Sequence, residues 1–244
     1  TNQTVPEIIP SENPDINSIL ETMKRKNYVI YTKPYQMNMI GIRRQYEGMV
    51  YSNRFVDDMY LIYRETNDGD WVVHKYKITT LPGVYKGEQR PDLKDRNGQV
   101  PFTPNGWKHP DGKISSGTLL NKASIRFTKN RPGLGQLRPS QMIDKYYLST
   151  YFGKPALKDK GGLFVYRDQT PDTTITYSIK TQGRDYFIHR AGKNSSVVNN
   201  WSEGCQVFKT HAEMDHFISK LKEHEKRYGN SFTYTLMEER DITT

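Results

Sequence analysis

Short runs of β-branched and aromatic residues, separated by turn signals, lie on both sides of a long irregular stretch. Before that stretch we predict strands at residues 28–32, 39–43, 59–63 and 71–78, with a hairpin turn at 67–70. After it we predict strands at 163–167, 173–179 and 232–236, and another that ends at His189. The sequence therefore predicts a mainly β fold of the α+β class.

One amphipathic helix is predicted near each end of the chain. The first has apolar residues at helical spacing: Ile16, Ile19, Leu20 and Met23. Asn13 is its expected N-cap, with Pro14 at the first helical position. The second begins with a capping box formed by Thr210 and Glu213, and Gly229 is its expected C-cap.

The domain organisation follows from where these patterns stop. Residues 1–14 carry three prolines and are predicted to be an extended arm, whereas residues 15–244 form a single β-rich domain. Within that domain, residues from about 83 to 140 are rich in Gly, Pro, Asn and Lys and lack periodicity. We predict an irregular insertion there, because a loop of this length is usually functional or an interaction surface.

Several classes of protein are disfavoured by composition. A single cysteine excludes an internal disulfide framework and zinc sites built on several cysteines. No His-Glu-x-x-His motif is present, and we expect neither a metal nor a cofactor. No run approaches the roughly 20 apolar residues of a membrane span, and no secretory signal is recognised. The expectation is a protein made in the cytoplasm, with no membrane span.

A net charge of +9 suggests an anionic partner. Nucleic acid, an anionic cell-wall polymer and an acidic protein are the candidates. The basic residues are scattered and no nucleic-acid-binding motif accompanies them. A solvated basic surface is therefore favoured over a dedicated nucleic-acid site.

The candidate site lies in residues 186–208. Cys205 follows Gly204 in a polar turn, and His189 stands sixteen residues earlier at the end of an apolar run. A thiol becomes a useful nucleophile when a base lies beside it, and Gly204 could aim backbone amides at a developing oxyanion. Ser202, or an asparagine at 199 or 200, could orient the imidazole. The alternative is a lone cysteine that serves as a small buried hydrophobe.

The segment from Ser202 to Cys205, with His189 upstream, resembles the active-site signature of the L,D-transpeptidase family. In that family the pattern is a His, a loop, then Ser/Thr-His-Gly-Cys, an apolar residue, and Arg or Asn. Glu203 replaces the second His of that pattern, Arg190 stands where a small residue is common, and the terminal Arg or Asn is missing. The resemblance covers residues 160 to 210. It implies a mixed β-sheet or sandwich in which Cys205 attacks a peptide carbonyl and His189 acts as the base.

The same resemblance yields further candidates. Arg190, Trp201, Glu203 and Gln206 would bind substrate, although Trp201 could instead pack beneath the loop and Glu203 could face solvent. The sequence of residues 200–207 also resembles segments of tailed-bacteriophage proteins. The function implied is a phage enzyme that cleaves or exchanges peptide bonds in peptidoglycan. Its expected location is the virion or tail, with other phage proteins contacted by the arm and by residues 83–140. The alternative is a non-catalytic structural subunit of the particle on the same fold.

Overall fold

The computed structural model describes residues 14–83, 134–168, 174–198 and 201–242, together with three short strands between residues 102 and 115. In chain order the elements are α1 (Ile16–Arg25), β1 (Asn38–Arg43), β2 (Asp57–Arg64), β3 (Trp71–Thr79), β4 (Phe102–Thr103), β5 (Gly106–Lys108), β6 (Ile114–Ser115), β7 (Leu134–Leu137), β8 (Ser140–Tyr151), β9 (Lys154–Asp159), β10 (Leu163–Asp168), β11 (Ile179–Gly183), β12 (Ile188–Arg190), β13 (Gln206–Phe208), α2 (His211–Tyr228) and β14 (Phe232–Glu238), followed by a short 3-10 helix (Glu239–Asp241).

Eight of these strands close into a barrel in the order β1-β14-β8-β9-β12-β13-β3-β2. The pairs β1–β14 and β12–β13 are parallel, and the other pairs are antiparallel. Two three-stranded sheets, β11-β10-β7 and β4-β5-β6, stand apart from it. The mainly β class and the mixed sheet are thus confirmed, but the main sheet closes on itself instead of forming a two-sheet sandwich.

The first two barrel strands are buried on both faces. In β2, Met59, Leu61 and Tyr63 belong to the interior cluster, whereas Tyr60 and Ile62 belong to a second cluster that includes α1. This two-sided burial explains why the strand is a continuous apolar run instead of an alternating one. Helix α1 contributes Ile19, Leu20 and Met23 to that second cluster, as its spacing predicted.

Helix α2 packs on the strands that carry the candidate site. Its residues Met214, Phe217 and Leu221 share the interior cluster with Ile188 of β12 and Phe208 of β13. Thr210 and Gly229 are confirmed as the caps, whereas the Glu213 carboxylate does not complete the predicted capping box and accepts instead from the Lys77 amide at 2.9 Å. The Thr210 hydroxyl accepts from the Glu213 amide at 3.2 Å and donates to the Glu213 carboxylate at 2.7 Å, and Gly229 is the C-cap.

Residues 28–32 do not form the predicted strand. The main chain of Val29 is bonded to the Gln141 side chain through both its amide and its carbonyl, at 2.8 and 2.9 Å. The main chain of Tyr31 is bonded in the same way to the Asn38 side chain, at 2.8 and 2.9 Å. Two side-chain amides thus replace a neighbouring strand, and no local pattern reveals this.

Three other predictions need correction. The N-cap of α1 is Asp15, whose carboxylate accepts from the Ser18 amide at 2.9 Å, so Pro14 precedes the helix. Strand β11 begins at Ile179, where the strand predicted at 173–179 was expected to end. The segment predicted to be irregular contains β4, β5, β6 and β7, which are too short for periodicity to detect. The arm at residues 1–13 lies outside the described residues.

Within the described part of the chain, no helix is both long enough and apolar enough to cross a membrane.

Candidate functional site

The turn that presents Cys205 is held by the Ser202 hydroxyl. This hydroxyl donates to the Cys205 carbonyl at 2.8 Å and accepts from the Gly204 amide at 3.1 Å. Ser202 is 1% exposed, so both bonds are shielded from water. Its role is to fix the turn. Neither of these bonds involves the His189 imidazole, which Ser202 was one of three candidates to orient. In this arrangement the Gly204 amide is already bonded and cannot serve an oxyanion.

Gly204 is required by both conformation and space. Its φ is +123°, in the left-handed half of the map that side chains disfavour, and a Cβ built on it would lie 2.3 Å from the Gly135 carbonyl oxygen. The turn therefore packs directly against the backbone of β7. This close approach ties the position of Cys205 to a strand some seventy residues earlier in the chain.

Gln206 anchors the turn from inside the barrel. It is fully buried, its amide nitrogen donates to the Gly204 carbonyl at 3.2 Å, and its amide oxygen accepts from the Tyr234 hydroxyl at 2.8 Å. Both ends of the side-chain amide are thus occupied by the protein. The prediction of Gln206 as a substrate-binding residue is therefore wrong, because no part of it reaches solvent.

The register of β12 and β13 places His189 and Cys205 on one face. His189 lies opposite Val207, and the Gln206 amide donates to the Phe187 carbonyl at 2.9 Å. Side chains alternate along a strand, so Cys205 shares the outward face of Val207 and is the diagonal neighbour of His189. Cys205 packs against the outward cluster that contains Val207, and its thiol lies 3.8 Å from the Asp185 carbonyl.

The imidazole of His189 is held in one tautomer. Its Nδ1 lies 3.0 Å from the Arg190 carbonyl oxygen, which can only accept, so Nδ1 carries the proton and Nε2 keeps its lone pair. The side chain is 5% exposed, and burial lowers the pKa of His189 to about 4, opposed in part by that bond. At neutral pH the imidazole is therefore an uncharged potential base. No hydrogen bond joins it to Cys205.

This pKa predicts a dependence of stability on pH. Above pH 6.5 His189 is neutral in the folded and the unfolded chain alike. Between pH 6.5 and 4 the unfolded chain binds a proton that the folded chain excludes, so the free energy of unfolding falls as the pH is lowered. The native protein should lose unfolding free energy between pH 7 and pH 4.5, and replacing His189 by Gln should make that loss smaller by about 2–3 kcal/mol. Urea unfolding at the two pH values measures the difference. An equal loss in both proteins would mean that His189 titrates normally.

A cavity of about 420 Å³ opens beside His189. Arg190 and Trp201, both predicted from sequence to bind substrate, line it together with His189. Cys205 and Glu203 do not belong to its wall, although Glu203 lies half-buried in the adjoining turn. The structure thus brings together His189, Arg190 and Trp201 at the cavity, whereas Cys205 is not among the residues that line it. The asparagines at 199 and 200 lie outside the described residues.

Sequence reasoning missed the opposite wall of this cavity. Tyr151, Phe152 and Lys154 come from the hairpin between β8 and β9. In the sequence, the aromatic run at 142–152 is typical of core or interface residues and does not indicate a cavity wall. One signal was available: Phe152 precedes Gly153, and a residue before glycine at the centre of a hairpin is often a turn residue.

No group of three or more His, Cys, Asp or Glu side chains in the described residues is arranged to hold a metal ion. The chain matches no protein-family model, no curated protein and no solved structure. Function is therefore inferred from the geometry of the site and from the resemblance of residues 160 to 210.

Proposed function

We propose that this protein is an L,D-transpeptidase-like cysteine enzyme that acts on peptide bonds of peptidoglycan through an acyl-enzyme. The observation that carries the proposal is the pairing of the adjacent parallel strands β12 and β13. His189 lies opposite Val207 and lines an open cavity, and Cys205 packs with Val207 on the same outward face. The His and Cys of the resemblance are sixteen residues apart in sequence, and they lie on or next to two adjacent strands of the barrel.

The chemistry follows from the tautomer of His189. Nε2 takes the thiol proton as Sγ attacks the peptide carbonyl carbon, and the imidazolium then gives that proton to the leaving amine. A thioester remains on Cys205. An incoming amine resolves it by transpeptidation, or water resolves it by hydrolysis. The Arg190 carbonyl, bonded to Nδ1, stabilises the imidazolium formed between the two proton transfers.

The low pKa of His189 decides the type of activation. A preformed thiolate–imidazolium pair needs a His that is readily protonated, and burial works against that here. We therefore propose general-base activation at the moment of attack. The absent bond between the two side chains is compatible with this mechanism, because catalytic hydrogen bonds often form only once substrate is bound.

We further propose that the protein belongs to a phage particle. This part of the proposal rests on the resemblance of residues 200–207 and on the long segment at 83–140, which is suited to contacts with other subunits. Mass spectrometry of purified particles tests it, since a virion component is recovered in stoichiometric amounts.

The decisive experiment is digestion of purified peptidoglycan with mass-spectrometric detection of the products. The native protein should release or exchange stem peptides and form a thioester adduct. Cys205→Ser should lose activity by about 10³-fold or more, and His189→Gln by at least about 10²-fold. His74→Gln is the matched control, because His74 lies on β3 against Tyr63 and His216, away from the site. Activity that persists in Cys205→Ser would contradict the proposal.

A second candidate is a structural subunit of the particle on the same fold, with the pocket vestigial. The bonded Gly204 amide and the missing bond between His189 and Cys205 favour it. Folded native protein with no turnover and an unreactive thiol would support this alternative.

A further inference from the structure

We propose that the cavity beside His189 binds a single sugar ring that carries a carboxylate or a phosphate. The ring would stack on Phe152 and Trp201, and the anionic group would lie among Lys154, Arg190 and Lys193. This inference goes beyond the proposed function, because binding of this kind does not require a reactive thiol.

The conformation of Phe152 is the first observation. Phe152 and Gly153 have φ values of +47° and +69° at the tip of the β8–β9 hairpin. Asn-Gly suits such a turn, whereas a bulky side chain at positive φ is strained. Phe152 is also 86% exposed, so its ring gains little from burial. A side chain that is both strained and exposed indicates a role in binding.

A second aromatic surface stands beside the same cavity. Trp201 is 45% exposed, and Gly192 leaves room for it, since a Cβ on Gly192 would lie 3.3 Å from the indole. Tyr151 links Phe152 to His189, with ring centroids 4.5 and 4.7 Å away. The C–H faces of a pyranose ring pack well on such aromatic surfaces.

The charge of the lining is the third observation. Lys154, Arg190 and Lys193 all line the cavity, and no lining residue is acidic. Within the described part of the chain none of these three cations forms an ion pair. Arg44 and Lys77, by contrast, are both paired with Asp58. Three uncompensated cations around one cavity favour an anionic ligand.

The size of the cavity is the fourth observation. A volume of about 420 Å³ suits one substituted sugar. Single-stranded nucleic acid is bound by successive aromatic rings along a groove, whereas here the rings surround one cavity. A sugar is therefore favoured over a nucleic acid.

Three matched probes test the inference by NMR titration of the full chain. They are N-acetylglucosamine, its lactyl ether N-acetylmuramic acid, and N-acetylglucosamine 6-phosphate. The anionic sugars should bind at least about tenfold more tightly than the neutral one, because each places a negative charge among the cations. A preference between them identifies the source as a carboxylate or a phosphate. Equal binding of all three, no saturable binding, or tighter binding of oligothymidylate would overturn the proposal.

Two variants separate binding from folding. Phe152→Asn gives the turn a residue that suits positive φ, so it should raise the melting temperature by about 2 °C while weakening sugar binding by about tenfold. Lys193→Gln should weaken the anionic sugars by about threefold or more and leave N-acetylglucosamine unchanged. Phe164→Asn is the control, because Phe164 is 52% exposed on β10 and lies outside the cavity. Unchanged binding in Phe152→Asn would refute the stacking role.

The sugar probes contain no peptide bond, so their binding is independent of Cys205. Failure of this test therefore leaves the proposed enzyme untouched, and failure of peptidoglycan digestion leaves the sugar site untouched.

Discussion

Asp58→Ala is expected to lower the free energy of unfolding by about 3–5 kcal/mol. Asp58 is fully buried on β2, and its Oδ2 accepts from Nε and Nη2 of Arg44 at 3.0 and 2.8 Å. Arg44 is only 5% exposed. Removing the carboxylate leaves a buried guanidinium without its closest buried counter-charge, although Glu239 still lies 2.6 Å from Nη1. Urea unfolding at neutral pH measures the change.

Two further proteins test the cause of that loss. Arg44→Met combined with Asp58→Leu removes both charges, and it should recover most of the stability because apolar side chains fill the space without a desolvation cost. Glu21→Ala breaks an exposed pair in which Lys24 lies 2.7 Å away, and it should have a far smaller effect. A loss below about 1 kcal/mol in Asp58→Ala would mean that Glu239 and water compensate the Arg44 charge without Asp58.

Gly204→Ala is expected to lower the free energy of unfolding by about 2–4 kcal/mol and to reduce any Cys205-dependent activity by at least about 10²-fold. The new Cβ would meet the Gly135 carbonyl at 2.3 Å, so the turn must shift away from β7. Backbone cannot yield as a flexible side chain can. The movement would carry Cys205 out of its position relative to His189.

Gly48→Ala is the matched control for this prediction. Gly48 has a φ of +90° with no atom within 4 Å of a built Cβ, so its replacement reports the conformational cost alone. The difference in unfolding free energy between the two variants measures the close approach at Gly204. Equal losses would show that the turn relaxes freely, and the activity of Gly204→Ala should then be retained.

The parts of the fold that could be predicted from sequence are those fixed by local physics. The β2–β3 hairpin follows from its β-branched and aromatic residues and from the turn at 67–70, and α2 follows from Thr210, Glu213 and Gly229. The strand predicted at residues 28–32 was wrong because their main-chain partners are the side chains of Asn38 and Gln141. Strand propensity does not represent such bonds.

In the candidate site, too, residues that depend on local sequence were predictable and residues with distant partners were not. His189 at a strand and Gly204 at a tight turn were predictable, because each depends on its immediate neighbours. Gln206 was wrongly assigned to substrate binding because the sequence does not show its partner. That partner, Tyr234, belongs to β14, which follows α2 in the chain. The aromatic wall at Phe152 was missed for a similar reason, since only the pairing of β8, β9 and β12 brings that hairpin to His189.

The pairing of β1 with β14 has a consequence for synthesis. Met39 lies opposite Tyr234, so β1, which pairs with β2 on its other side, gains its second neighbour only when β14 has left the ribosome. Until then β1 and β8 each keep an open edge that can capture strands of other chains. Nascent chains should therefore depend on chaperones, and a product terminated before residue 232 should accumulate in inclusion bodies.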